Sequence, residues 1–174
     1  MRKTVPLLIM IAALAATGYP AESRITQDRI VKEVRHELVM LPYYGVFDNL
    51  TYEVKEDTIT LMGQVTRPTL KEDAERVVNG IEHGFRVVNN IEVLPLSPQD
   101  DRIRMGVYRA IYQHAVLNRY ALQAVPSIHI IVRNGNVTLE GIAANEGDRN
   151  IANIQANSVP GAFSVKNNLI LEKK

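Results

Sequence analysis

Hydrophobic residues recur at two different spacings along this chain, and the two spacings alternate. Between residues 28 and 41 they recur every three or four positions, which is the period of a helix. Two stretches in which apolar and polar residues alternate follow at 50–54 and 59–65, as is typical of strands. A second helical pattern at 68–82 and an apolar stretch at 87–94 complete the unit. The predicted order is helix, strand, strand, helix, strand.

The same order returns in the second half of the chain. Residues 60–63 are matched 78 positions later by residues 138–141, and residues 85–91 match residues 163–169 at the same offset. The Asp-Arg-Ile segment at 28–30 recurs 73 positions later, so the second copy has about five extra residues after its first helix. Ordered matches at nearly constant spacing indicate an internal duplication.

These patterns predict an α+β protein of two tandem αββαβ repeats, at 26–95 and 97–172. Each repeat is expected to form a three-stranded mixed sheet with two helices on one face. A strand–helix–strand crossover of this length makes the last two strands parallel, with a right-handed connection. A unit of this size is marginally stable alone. Because the connection at 96–98 is too short to let the copies separate far, we expect them to pack together.

Local signals refine the boundaries of these elements. Thr26 is a candidate N-cap for the first helix, and Ser97 followed by proline is a candidate for its counterpart. Asn134-Gly135 predicts a tight hairpin because both positions tolerate a positive φ. Glu56-Asp57 is a weaker version of the same turn in the first copy.

Four small or polar residues occupy strand positions that are predicted to face the core, and we interpret them as structural. A buried amide needs hydrogen-bond partners, so Asn89 and Asn167 are expected to tie the start of the last strand to a neighbouring loop. Gly63 and Gly141 are expected where a closely packed helix excludes a side chain.

The first 21 residues differ from the rest of the chain. Arg2 and Lys3 precede an apolar run at 5–16, and small and turn-forming residues follow up to Ala21. This order is typical of a secretory signal, and the run is shorter than the roughly 20 residues of a spanning helix. We predict that residues 1–21 are a cleaved signal peptide and that the mature protein is periplasmic or secreted, without a transmembrane span. An uncleaved anchor is the alternative.

Composition narrows the classes of function. The chain has no cysteine, so it cannot form a disulfide or a thiolate metal site, and its 4 histidines lack metal-ligand spacing. No nucleophile elbow, phosphate loop or dinucleotide fingerprint is present. Without Arg2 and Lys3 the mature chain has 18 basic and 19 acidic residues, and this near-neutral charge does not favour nucleic acid as a partner. We therefore expect a non-enzymatic protein without catalytic residues, cofactor or metal.

Charge is divided unequally between the two copies. Residues 28–95 contain 8 basic and 12 acidic residues, whereas residues 101–174 contain 9 basic and 5 acidic residues. The basic excess is concentrated in the first helix of the second copy, to which we also assign three tyrosines including Tyr120. Arginine and tyrosine together suit an anionic lipid headgroup region. The candidate lipid- or partner-binding residues are Arg102, Arg104, Tyr108, Arg109, Tyr112 and Arg119.

Two pairs of segments resemble the motifs of the BON-domain family (bacterial OsmY and nodulation). Residues 59–63 and 137–141 are similar to its strand motif, and residues 87–93 and 165–171 are similar to its closing motif. The resemblance covers essentially the whole mature chain, although Glu56-Asp57 replaces the usual glycine turn. It implies a non-enzymatic, envelope-associated module linked to envelope stress, with some members contacting phospholipid or envelope partners.

Two functions remain open at this point. The first is a lipid- or envelope-surface-binding module that uses the basic second copy. The second is a protein-interaction or self-assembly module in which the acidic first copy and the basic second copy pair, within or between chains. In that second case the tyrosines pack against the first copy and the arginines pair with its acidic surface.

Overall fold

The computed structural model describes residues 21–81 and 84–172, which form two similar α+β units in tandem. The first repeat contains α1 (Ala21–Val39), β1 (Asn49–Lys55), β2 (Thr58–Val65), α2 (Pro68–Asn79), β3 (Arg86–Asn89) and β4 (Glu92–Val93). The second contains α3 (Pro98–Tyr112), a 3-10 turn (Asn118–Leu122), β5 (Ile128–Arg133), β6 (Asn136–Ala143), α4 (Glu146–Asn157), β7 (Ser164–Asn167) and β8 (Ile170–Leu171). The predicted fold class is confirmed. Residues 1–20 of the predicted signal peptide lie outside the described residues.

Each repeat forms a mixed sheet around a central strand. β2 is antiparallel to β1 and parallel to β3, and β6 has the same relationship to β5 and β7. The parallel connections pass through α2 and α4, because parallel strands require a long crossover. β4 and β8 then continue the third strand along the same central strand, so that the third strand of each sheet is in two pieces.

An asparagine causes this interruption in both repeats. The amide nitrogen of Asn89 donates to the carbonyl of Lys71 at 3.0 Å, while its side-chain oxygen accepts from the Ile91 N–H at 3.1 Å. Asn167 makes the equivalent hydrogen bonds, with Arg149 and with the amide two residues further on. A side chain that binds the backbone two residues ahead competes with the strand ladder. The asparagines are structural, as interpreted, but they bind the first turn of a helix and not a loop.

The core of each repeat lies between the sheet and its two helices, which pack on the same sheet face. Buried positions recur every three or four residues in the helices and every second residue in the central strands. The first core includes Ile30, Val34, Leu38, Ile59, Leu61, Val65, Leu70, Ala74 and Val78, and the second includes Ile103, Val107, Ile111, Ile128, Ile130, Leu139, Ala152 and Ala156. Burial of each large aliphatic side chain stabilises the fold by about 1.5–3 kcal/mol.

Gly63 and Gly141 lie in the central strands at positions that exclude a side chain, as predicted, but a helix is not what excludes it. Gly63 and Gly141 have φ values of +112° and +106°. A Cβ atom would lie 1.9 Å from the carbonyl oxygen of Asn49 at the first position and 2.1 Å from that of Ser127 at the second. The close neighbour is therefore the backbone at the start of the adjacent strand, and no helix is involved.

The helix starts were predicted unequally well. The Ser97 hydroxyl accepts from the Asp100 N–H at 3.2 Å, so the N-cap of α3 is confirmed. Thr26 was wrongly predicted as the N-cap of α1, because α1 begins at Ala21 and Thr26 lies within it. No glycine or proline interrupts the chain between Ala21 and Val39, and such residues are what break helices.

A loop of the first repeat joins the two repeats. The N–H of Ile130, on the edge strand β5, donates to the carbonyl of Val46 at 2.8 Å. The ring of Phe47 packs edge-on against Tyr108, with centroids 6.1 Å apart, and both loop residues contact the core of the second repeat. The loop therefore covers a strand edge that would otherwise expose unpaired backbone groups.

Candidate functional site

The face of α3 that points away from the sheet carries part of the predicted binding surface. Arg102 and Arg109 are exposed, and Met105 lies between them with 41% of its surface exposed. The spacing of three and four residues places all three side chains on one face of the helix. The Arg102 guanidinium donates to Gln99 at 2.7 Å, and Arg109 makes no ion pair with a described residue. Two cationic groups thus flank an apolar side chain on an open surface.

Arg104 and Tyr112 also belong to α3, but both are buried. The Arg104 guanidinium donates to the carbonyl of Val132 at 2.7 Å and to Asp101 at 2.5 Å. The Tyr112 hydroxyl donates to the carbonyl of Ile128. Burial raises the pKa of Tyr112, so its hydroxyl remains a donor. These two predicted binding residues attach α3 to β5 and are not available to a ligand.

Tyr108 lies between the two repeats. Its ring is half-buried between Phe47 and Tyr112, and the two tyrosine centroids are 4.9 Å apart. For this residue the alternative interpretation, in which a tyrosine packs against the first copy, describes the contact. A charged contact joins the same two repeats elsewhere, between Arg133 and Glu92 at 2.7 Å.

Arg119 and Tyr120 do not belong to α3, contrary to the prediction. The helix ends at Tyr112, and both residues lie in the 3-10 turn. One reason is that Leu117, which is fully buried, lies off the helical period of the buried residues of α3. The turn therefore reorients the chain before β5 begins.

A buried carboxylate anchors this turn. Asp148 on α4 accepts from the Arg119 guanidinium and from the Tyr120 hydroxyl, which itself accepts from the Ala144 N–H at 2.8 Å. Hydrogen bonding of the Arg119 guanidinium to Tyr120 and Asp148 raises the pKa of Arg119. The sequence carried a signal for this network, because Asp148 occupies the first position of the buried series that continues with Ala152 and Ala156. A carboxylate on such a stripe requires partners.

A polar cleft of about 460 Å³ lies where the outer face of the second sheet meets the end of the first. The first repeat contributes Gln64 and Glu92, and the second contributes Arg133, Glu140 and Lys166 among others. Charges of both signs line it. Within the described ranges no group of three or more histidine, aspartate or glutamate residues could hold a metal ion. No helix in the described part of the chain is long and apolar enough to cross a bilayer.

Comparison with protein-family models gives matches over both repeats. The BON domain model matches residues 26–95 and again residues 100–173.

The chain belongs to the BON-domain family.

BON domains are non-catalytic binding modules that bind phospholipids or proteins and are typically periplasmic or envelope-associated. The two matched segments correspond to the two αββαβ units of this BON protein.

No curated protein matches the sequence. Among solved structures, a structural protein of the type III secretion system of Chlamydia trachomatis, CdsD, is 12% identical, with a TM-score of 0.33. That alignment covers 83% of this chain and 92% of the other. The C-terminal domain of CdsD is also 12% identical, with a TM-score of 0.28, over 83% of this chain and 98% of the other.

Proposed function

We propose that this BON protein binds anionic phospholipid at the bacterial envelope through the exposed face of α3. The observation that supports the proposal most is the row formed by Arg102, Met105 and Arg109 on one open helix face. Arg119 lies in the 3-10 turn, and its guanidinium already binds Asp148. We call the row formed by Arg102, Met105 and Arg109 the α3 stripe.

The chemistry of the α3 stripe suits a lipid headgroup region. A guanidinium presents several N–H donors to a phosphate, and Arg102 and Arg109 have room to do so. The side chain of Met105 is apolar and flexible, so it can enter the boundary between headgroups and acyl chains. The second repeat has a formal net charge of +4 over residues 101–174, which favours its approach to an anionic surface.

An envelope location is part of the proposal. It rests on the signal-like order of residues 1–21 and on the typical location of the family. Export can be tested separately, by expressing the full chain in a bacterium and determining the N-terminal residue of the protein recovered from the periplasm. A product that retains Met1 and fractionates with the cytoplasm would contradict this part.

Liposome flotation tests the lipid proposal. The purified chain is expected to float with vesicles that contain phosphatidylglycerol and to stay at the bottom with pure phosphatidylcholine. Arg109→Glu should weaken binding by about tenfold or more, because each basic residue near an anionic surface contributes about 1 kcal/mol. Lys166→Glu is the matched control, since it makes the same charge change on an exposed residue of β7. Met105→Ser should weaken binding without a change of charge.

The outcomes distinguish binding at the α3 stripe from attraction of the whole protein by its net charge. Equal recovery with both lipids would overturn the proposal. Equal losses for Arg109→Glu and Lys166→Glu would show that net charge alone drives binding, and the α3 stripe would then not be the site.

A further inference from the structure

A groove that is filled in the second repeat is open in the first. In the second repeat, Val46 and Phe47 lie between α3 and β5, where the Val46 carbonyl accepts from Ile130 and the Phe47 ring contacts Tyr108. The first repeat has a groove of about 420 Å³ between α1 and β1. We call it the α1–β1 groove.

The two grooves are built from corresponding residues. At the helix offset of 73, Tyr108 and Tyr112 correspond to Arg35 and Val39. At the strand offset of 78, Ile130 corresponds to Tyr52. Arg35, Val39 and Tyr52 all line the α1–β1 groove, as their counterparts line the filled one. The duplication has therefore produced the same receiving surface twice.

The edge of β1 has a backbone group in position to accept a docking segment. The Leu50 N–H donates to the Tyr44 hydroxyl at 3.4 Å, and the Val54 carbonyl accepts from Gln27 at 3.2 Å, so both groups point away from β2. In an antiparallel strand alternate residues face the same edge, so the Tyr52 N–H between them also points outward. Within the described residues it has no partner, whereas its counterpart at Ile130 binds Val46.

The second repeat carries a segment that corresponds to the one that docks. At the offset of 78, Val46 and Phe47 correspond to Ala124 and Val125. Ala124 is exposed, and the neighbouring Leu122 is 87% exposed. In the described chain this segment has no third repeat against which to pack. We call residues 122–125 the second-repeat loop.

We propose that the second-repeat loop of one copy docks in the α1–β1 groove of a second copy and extends the contact already made between the repeats. The net charge is −4 over residues 28–95 and +4 over residues 101–174, which favours the approach of unlike repeats of two copies. The contact itself is uncharged apart from Arg35 of the groove. The contact is head-to-tail, with different surfaces on the two partners, so it generates an open chain, or a ring where the copies close on themselves. Because the loop contributes only residues 122–125, we expect the contact to be small and the association weak.

Substitutions at two exposed positions test the loop side and the groove side of this contact independently. Leu122→Asp changes the loop, and Val39→Asp changes the rim of the groove, where Val39 is 44% exposed. Ile154→Asp on α4 is the matched control, because Ile154 is 63% exposed and lies outside both surfaces. Unchanged melting temperatures verify that the three variants are folded. Sedimentation equilibrium without lipid is then measured at rising concentration, which keeps the result independent of the lipid proposal.

The wild-type chain and Ile154→Asp are expected to associate, with Leu122→Asp and Val39→Asp each at least about tenfold weaker. A mixture of these two variants has one intact loop and one intact groove, so it should form a dimer that grows no further. A wild-type chain that stays monomeric, or a mixture that does not dimerise, would overturn the proposal.

Disulfide trapping gives a second test, because the chain has no cysteine of its own. Thr51→Cys lies on β1 beside Tyr52, and Leu122→Cys lies on the loop. Mixed under mild oxidation, the two variants should form a heterodimer faster than either forms a homodimer. Equal rates for all three products would contradict a head-to-tail contact.

Discussion

The imidazole ring of His129 lies against the phenol ring of Tyr44, with centroids 5.6 Å apart and an angle of 20° between the planes. Burial lowers the pKa of His129, and the carbonyls of Gly45 and Asp48 and the Asp48 carboxylate oppose this shift. Glu140 lies opposite His129 on β6, and the Nδ1 atom of His129 has no hydrogen-bond partner. The contact between the repeats therefore contains a buried imidazole that favours the neutral form.

We predict that acid weakens this contact. An unfolded histidine has a pKa of about 6.5. Because the folded pKa is lower, the unfolded chain binds a proton first as the pH falls below about 6.5, and stability declines until the folded pKa is reached. For one group the slope is at most about 1.4 kcal/mol per pH unit. Urea unfolding between about pH 7.5 and about pH 5 measures it.

A second histidine provides the control for this prediction. His129→Gln should flatten the pH dependence, since glutamine does not titrate. His36→Gln is the matched control, because it makes the same substitution at an exposed histidine of α1. A wild-type slope in His129→Gln would assign the effect to another group.

The Tyr120 hydroxyl is predicted to stabilise the 3-10 turn more than the Arg119 ion pair does. Tyr120→Phe leaves the Ala144 N–H without its acceptor and the buried Asp148 carboxylate with one donor fewer. We expect a loss of about 1–3 kcal/mol in the free energy of unfolding. Arg119→Ala should cost less, because the guanidinium is 49% exposed, so water can replace it beside Asp148, which keeps its hydrogen bond from Tyr120. Urea denaturation compares the two, and a larger loss in Arg119→Ala would reverse the assignment.

Gly141 is predicted to be irreplaceable because of its surroundings as well as its φ value. Gly141→Ala places a Cβ atom 2.1 Å from the Ser127 carbonyl oxygen, whereas Gly84 has a φ of +130° and no atom within 4 Å of the added Cβ. Both alanine variants incur backbone strain of about 1–3 kcal/mol. Only Gly141→Ala must also move a strand, so its melting temperature should fall much further. Equal losses would mean that φ alone requires glycine.

Features set by neighbouring residues could be predicted from the sequence. The Ser97 cap depends on its own first turn, and the Asn134-Gly135 hairpin depends on two positive φ values, which are observed at 50° and 77°. The duplication strengthened the prediction of the fold, because each helix and strand of one copy could be compared with its counterpart in the other copy. The fold class followed from these local signals and from the alternation of two hydrophobic periods.

Features set by how the elements are oriented could not be predicted in this way. The pattern placed Arg102 and Arg104 on one helix, but their burial depends on how α3 is rotated against β5. A difference of two residues turns a side chain by about 200° around the helix, so one arginine faces solvent and the other faces Val132. Likewise, no periodicity indicates that Phe47 leaves its own repeat and enters the next.

Phe47 is predicted to couple the two repeats. Phe47→Ala removes a half-buried ring from between Tyr108 and the second core, and we expect a loss of about 1–3 kcal/mol in the free energy of unfolding. Tyr43→Ala is the control, because Tyr43 lies in the same loop and is 74% exposed. Hydrogen exchange should also show a faster Ile130 amide in Phe47→Ala, since the loop then holds the Val46 carbonyl less firmly. If the Ile130 amide keeps its wild-type protection while global stability falls, the ring stabilises the second core without coupling it to the first repeat.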